Sequence, residues 1–309
     1  MLVSVAVEGF KKDLSITRSA ATVQAYSTAL NHLARAVGDL DTKDVTANVV
    51  PDFVRWLHEN NPVAQATLNL YLVALTRFYE WLVLADETPQ DLLRFKKWIS
   101  QYSKKKSKRA PKLPNEENVQ RLMLFIRSDR PAPFQPETEA VRNVILSYLR
   151  NLALLETLRS TGCRIEEAVT LTNGDVKSQY ATVTGKGDKE RTIFFDQAAW
   201  AAVAEYMATK DGGPDDPLFM RHGWTRDKMS FLCTNSARRI LTEMCHQASV
   251  KPTITPHQFR HRFATLLLRE TGDLAKVQDL MGHESPETTR VYTVFNNDEL
   301  RDAHSSTSL

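Results

Sequence analysis

The sequence predicts a mainly α-helical fold in two domains: a helical bundle over residues 1–98, then a mixed α/β but mostly helical domain with one small β-sheet over residues 113–309. Three observations carry this reading. Apolar residues recur at three- and four-residue steps through most of the chain, the period of a helix with one buried face. Glycine is scarce, 11 of 309 residues, so little in the composition breaks helices. And a basic stretch without any periodicity, residues 99–112, interrupts the pattern where one core would end and another begin. A chain of 309 residues is long for a single core.

The elements follow in order. Helices are expected near 17–37, with Tyr26, Leu30 and Leu33 on one face, and near 45–59, with Val54 and Leu57. Pro51 and Pro62 stand near helix starts, where a missing amide costs nothing. Over 66–84, Leu68, Leu72, Leu75, Tyr79 and Leu82 define one buried face. Four or five such helices make a small bundle. Beyond the basic stretch, helices are expected at 114–127 and 139–160, around the proline-rich loop Ser128–Thr138. The alternating segments Tyr180–Thr184 and Arg191–Phe195, joined by GKGDK, predict a hairpin. Helices at about 196–209, 227–247, 256–271 and 273–281 complete the domain.

Composition narrows the function classes. The formal net charge is only +3, but between Arg94 and Lys112 nine Lys or Arg residues occur with no Asp or Glu. Lys104, Lys105, Lys106, Lys108 and Arg109 form the densest part. Such a linker is either a solvated tether or a strap along phosphates, and uncompensated charge favours the strap. Cys163, Cys233 and Cys245 have neither a disulfide framework nor a metal-ligand spacing and read as reduced thiols. No apolar run approaches the roughly 18–20 residues that cross a bilayer. The start, MLVSVAVEGFKKDL, lacks the pattern of a secretion signal. A cytoplasmic protein with no membrane partner is expected.

Four short segments hold side chains capable of chemistry. In STGCRIEEAVTL, Arg164 opens a helix and Glu167, three residues on, shares its face; alone, the two read as a surface ion pair. In TGKGDKER, Lys186 stands between glycines on a tight turn, with Lys189 and Arg191 nearby; alone, it is an ordinary basic hairpin tip. In TPHQFRHRFATLLLRE, Thr255 caps a helix that begins at Pro256. Phe259, Phe263 and Leu266 are expected to bury on one arc, with His257 and Arg260 on another near the anion-favouring end. His257 and His261 are one turn apart, but HQFRH lacks the glutamate of a zinc helix, so no metal is expected and His261 reads as structural. In LMGHESPETTRVYT, His283 follows a glycine and Tyr292 comes nine residues later.

Each segment is weak alone; together they are complete for phosphodiester transesterification. Two guanidiniums clamp the non-bridging oxygens as charge grows. A lysine or histidine protonates the leaving oxygen. A tyrosine oxygen attacks and stores the bond as a phosphotyrosine, so no cofactor or nucleotide is called for.

At this point the sequence resembles the tyrosine recombinase (phage integrase) family, whose signatures occur in family order as TGCRIEE, TGKGDKER, HQFRHRFAT and GHESPETTRVY. The resemblance covers nearly the whole chain. It implies that residues 1–98 form a SAM-like core-binding domain on DNA and residues 113–309 the catalytic domain. It implies that Arg164 and Arg260 bind the scissile phosphate, Lys186 protonates the 5′-hydroxyl leaving group, and His257 assists proton transfer. His283 would hydrogen-bond the phosphate, Tyr292 would attack to leave a 3′-phosphotyrosyl enzyme, and Glu167 would support the site without touching substrate. Lys189 is the alternative to Lys186. The implied partners are double-stranded DNA recombination sites, a homotetramer of this chain that exchanges strands through a Holliday junction, and accessory proteins of unspecified kind. Residues 293–309 would be the tail that docks on a neighbouring protomer. The proline-rich loop at 128–138 looks longer than in the compact chromosome-dimer-resolving members, so integrase, resolvase and mobile-element recombinase all stay open. Two rivals use the same parts: a relaxing topoisomerase or telomere resolvase, and a catalytically silent DNA-binding protein.

Overall fold

The computed structural model describes residues 1–38, 40–89, 91–103, 112–131, 138–185, 187–222 and 231–282. The chain divides into two compact units, Met1–Ser107 and Lys108–Leu309, each with its own core.

Among the described residues the first unit holds five helices, α1 (Val3–Thr17), α2 (Ala20–Val37), α3 (Val49–Asn60), α4 (Gln65–Leu84) and α5 (Leu92–Tyr102), with a short 3₁₀ turn at Thr42–Asp44. Side chains start them where the sequence offers an acceptor: Ser19 accepts from the Thr22 amide, and Asp91 from that of Arg94. The three- and four-residue apolar steps bury Leu30, Leu33, Leu57, Leu72, Leu75 and Leu82. Tyr79 and Phe95 stack with ring centroids 4.0 Å apart, and the Tyr79 hydroxyl donates to the Pro89 carbonyl at 2.8 Å. The stretch expected as linker from residue 99 begins as helix. Trp98, Ile99 and Tyr102 continue the apolar face of α5 onto the core, and Gln65 Nε2 donates to the Tyr102 carbonyl. Lys104, Lys105, Lys106, Lys108 and Arg109 lie outside the described residues.

The second unit is helical around one sheet. Its elements are α6 (Glu116–Ser128), α7 (Glu139–Thr161), α8 (Ile165–Thr170), β1 (Val176–Lys177), β2 (Tyr180–Thr184), β3 (Glu190–Phe194), α9 (Gln197–Thr209), α10 (Thr234–Gln247), α11 (Pro256–Thr271) and α12 (Leu274–Met281). The sheet is antiparallel in the order β1-β2-β3, and β1 is too short to announce itself in the sequence. Ala181 pairs with Ile193 and Val183 with Arg191, so these four share the face turned to the core. α7 runs through the middle of the unit and buries Leu149, Ala153, Leu155 and Leu158. The helix expected from 227 starts only at Thr234; the Leu232 amide is already bound to the Phe219 carbonyl in extended chain, while 227–230 lie outside the described residues. Leu266, expected in the core, is 39% exposed; Leu267 and Leu268 pack instead against Val277 and Met281 of α12. Among the described residues no helix is long and apolar enough to cross a membrane.

Candidate active site

The site forms where α7 ends, α8 begins, and α11 and α12 meet them. α7 terminates at Gly162, whose φ of +59° is the left-handed turn that closes a helix. The space there also requires glycine, because a Cβ would stand 2.6 Å from the Phe263 ring. Two residues on, Arg164 caps α8, and the Glu167 carboxylate folds back to accept its amide at 2.7 Å. The other oxygen of Glu167 accepts from Arg164 Nη1 at 2.7 Å. The pairing expected from the sequence is therefore real, but Glu167 is only 3% exposed and the pair is no surface decoration. A second cation completes it: Arg191 Nη2 reaches Glu167 at 2.8 Å from β3. Burial pushes the Glu167 carboxyl up, and the Arg191 charge with the Arg164 amide and guanidinium outweighs that and holds it below its ordinary range.

α11 begins as the sequence predicts. The Thr255 hydroxyl accepts the Gln258 amide at 3.3 Å and Gln258 Oε1 accepts the Thr255 amide at 2.9 Å, a reciprocal cap, with Pro256 in the first turn. Arg260 is almost wholly buried, 2% exposed. Its guanidinium donates to the Gly162 carbonyl at 2.9 Å and to the Met281 carbonyl at the end of α12. Arg164 Nη2 reaches the next carbonyl, Gly282, at 3.4 Å. Both guanidiniums thus rest on the partly negative C-terminal end of α12, which fixes them and suits their charge.

Arg164, His257 and Arg260 line one cleft of about 500 Å³, together with Glu166, Arg238 and Thr255. The first three are the described members of the sequence-predicted set, and the fold brings them together from positions nearly a hundred residues apart. His257 packs edge to face on His261, ring centroids 4.5 Å apart. Burial, then the Arg260 and Arg164 charges, lowers the His257 pKa, so at neutral pH its ring is uncharged and able to accept a proton. His261 is pushed down to about 4 by burial and the neighbouring His257 and Arg260. Among the described residues no group of three or more His, Cys, Asp or Glu is placed to hold a metal ion.

Lys186, His283 and Tyr292 lie outside the described residues. Their chain neighbours are placed. Gly185, which precedes Lys186, lies so that a Cβ there would stand 3.6 Å from Glu167 Oε1. Gly282, which precedes His283, closes α12 with φ +61°. Lys189 is exposed at the base of the same turn, its carbonyl accepting from the Gly185 amide. Arg191 carries no motif that marks it in the sequence, although strand alternation sets it on the inner face with Ile193.

Comparison with known proteins adds a family. Residues 115–299 match the profile of the Phage integrase family, and residues 7–86 that of the phage integrase N-terminal SAM-like domain. Among curated relatives, Tyrosine recombinase XerC of Pediococcus pentosaceus is 29% identical over 96% of this chain and 95% of its own. Tyrosine recombinase XerD of Oceanobacillus iheyensis is 28% identical over 97% of each. Among solved structures, the Tn1549 transposon integrase in complex with transposon right end DNA superposes with a TM-score of 0.68, at 17% identity over the full length of both chains. A lambda integrase tetramer bound to a Holliday junction gives 0.64, at 14% identity over 97% of this chain and 81% of that one. At such identities the structural likeness establishes the fold.

Proposed function

The chain belongs to the phage integrase family, and we propose that it is a site-specific tyrosine recombinase, breaking and rejoining DNA through a covalent link between Tyr292 and a 3′-phosphate. One observation carries the proposal: Arg164, His257 and Arg260 line a single cleft, with both guanidiniums anchored on neighbouring carbonyls of one helix end.

In this reading the phosphate sits in the cleft, and the two arginines neutralise its non-bridging oxygens as the pentavalent transition state gathers charge. Their carbonyl and carboxylate contacts hold them in place before substrate arrives, so little reorganisation accompanies reaction. The Tyr292 oxygen attacks phosphorus; the bond to the 5′-oxygen breaks, and Lys186 supplies the proton to that oxygen. His257, neutral at pH 7, takes part in moving the phenolic proton, and His283 hydrogen-bonds the phosphate. The 5′-hydroxyl of another strand then reverses the step, conserving the bond energy.

Binding is assigned to both units. Residues 1–98 would dock on duplex DNA, and the run Lys104, Lys105, Lys106, Lys108 and Arg109 would neutralise phosphates, giving a salt-dependent share of affinity. Four copies on two sites would exchange strands through a Holliday junction, in the cytoplasm. The relatives named as tyrosine recombinases support the recombination, and the lambda integrase seen as a tetramer on a Holliday junction supports the assembly.

The test begins in cells producing the protein: DNA covalently attached to it is captured and sequenced to give the target. Two copies of that target are then placed on one supercoiled plasmid. Excised and inverted products support recombination. Relaxed circles alone would make the protein a relaxing enzyme, and absence of any covalent DNA would leave a binding protein.

A further inference from the structure

Arg191 stands on the inner face of β3, opposite Val183, where an aliphatic side chain would fit the sheet. It is 12% exposed, and it is spent on two contacts. Nη2 donates to Glu167 Oε2 at 2.8 Å, and Nε donates to the Leu280 carbonyl in the last turn of α12 at 3.2 Å. Its third arm, Nη1, is buried with no acceptor among the described residues. The stem lies so close to Gly282 that a Cβ there would meet Arg191 Cδ at 2.8 Å and Nε at 2.9 Å. Gly282 is therefore glycine for two reasons: its left-handed φ of +61°, and the passage of this side chain.

These contacts make one connected frame. Glu167 holds Arg164 by its amide and its guanidinium, and Arg191 holds Glu167. Arg191 also grips Leu280, while Arg260 grips Met281 and Arg164 reaches Gly282: three arginines on three successive carbonyls of one helix end. Without Arg191, the Glu167 carboxylate would be balanced by Arg164 alone and would draw it away from the cleft more strongly. The end of α12 would lose one of its three ties.

We propose, resting on the strand-transfer reading above, that Arg191 is a positioning residue of the phosphate clamp: it shares the Glu167 charge and fixes the end of α12, so that Arg164 and Arg260 meet the phosphate at a set separation and angle. It touches no substrate. A point charge cannot replace it, because the ion pair and the carbonyl contact use two arms of one planar fork.

Single-turnover cleavage of a nicked duplex, at saturating protein, reads the chemical step apart from affinity. Arg191→Ala is expected to bind the duplex within about 3-fold of the unsubstituted protein, yet form the covalent link about 10- to 100-fold more slowly, less than the 10²–10³ for outright loss of an oxyanion donor. A second substrate carries a neutral methylphosphonate at the scissile position, where the clamp has one charge fewer to neutralise. There the defect of Arg191→Ala shrinks to about 3-fold or less, in parallel with Arg164→Ala as the benchmark. An equal loss on both substrates, or a loss wholly accounted for by an unfolded fraction of the protein, would show Arg191 to be merely structural and overturn the proposal. Should Arg191→Ala not fold, Arg191→Lys keeps a cation opposite Glu167 and is expected to show the same substrate-dependent defect in milder form; cleavage at the unsubstituted rate would overturn the proposal. If the unsubstituted protein forms no covalent link, the strand-transfer reading itself fails, a different outcome from normal cleavage by the Arg191 variants.

Discussion

Replacing Glu167 by alanine removes the acceptor at the centre of the site while leaving its three donors behind. The Arg164 amide, Arg164 Nη1 and Arg191 Nη2 all lose their partner. Hydrogen bonds involving a charged group contribute about 1.5–3 kcal/mol each. They do not add here, because the Arg164 side chain is 35% exposed and can rehydrate, whereas Arg191, at 12%, cannot. The relevant scale is the loss of one partner from a buried ion pair, roughly 3–5 kcal/mol. For a unit of about 200 residues, each kcal/mol moves the melting midpoint by about 2–4 °C, so Glu167→Ala is expected to melt about 6–20 °C lower. Glu167→Gln keeps the shape and one acceptor and is expected to lose about half as much. The assay is thermal unfolding followed by circular dichroism at neutral pH and low salt, alongside DNA binding at a temperature where both proteins are folded. A Glu167→Ala protein melting within about 2 °C of the unsubstituted one would refute the reasoning, since the donors would then have other acceptors.

Further outcomes follow from the same geometry. Arg164→Ala and Arg260→Ala should each slow covalent complex formation about 10²–10³-fold, with only Arg260→Ala also lowering the melting midpoint strongly; cleavage within about 5-fold of normal in either would remove that arginine from the clamp. Gly162→Ala combines a left-handed φ of +59° with a Cβ 2.6 Å from Phe263, whereas at Gly272, φ +62°, nothing lies within 4 Å among the described residues. Gly272→Ala should therefore cost only the left-handed strain, roughly 1–2 kcal/mol, and Gly162→Ala distinctly more, read by denaturant melts of the two side by side. Burial pushes His222 and His261 down to about 4, against about 6.5 in the unfolded chain. The unfolded state then binds more protons between those values, so stability is full above pH 6.5 and falls as pH drops toward 4. Between pH 6.5 and 5, above the range of ordinary carboxylates, the midpoint should decline, and less steeply in a His222→Gln, His261→Gln double variant; identical slopes would contradict it.

How much of this was legible in the sequence varies element by element. α11 was readable to its ends because Thr255, Pro256 and Gly272 are local signals that need no tertiary partner. The hairpin was readable, one residue out at β3, from the alternation of Tyr180–Thr184 and the glycine-rich turn after it, and β1, two residues long, was not. The late start of α10 goes with an antiparallel bridge between Met220 and Phe231 and the bond from the Leu232 amide to the Phe219 carbonyl, contacts no local pattern encodes. Leu266 was misplaced because α12, not the main core, decides which face of α11 is covered. In the site, the residue types and spacings pointed to Arg164, His257 and Arg260. The burial of Arg260 and the dual hold of Glu167 come from helix ends that meet only in three dimensions. Arg191 shows the limit most clearly: its inward phase was in the sequence, and its partners were not.

The proposed chemistry comes down to one bond, from a tyrosine to a DNA phosphorus held by Arg164 and Arg260. Its most direct measurement is the mass of the proteolytic fragment that stays attached to a trapped, nuclease-trimmed DNA strand. The nucleotide adduct is expected on the peptide containing Tyr292, joined through a 3′-phosphate, and is expected to disappear in Tyr292→Phe. An adduct on any other residue, a 5′-linkage, or an adduct that survives Tyr292→Phe would contradict it.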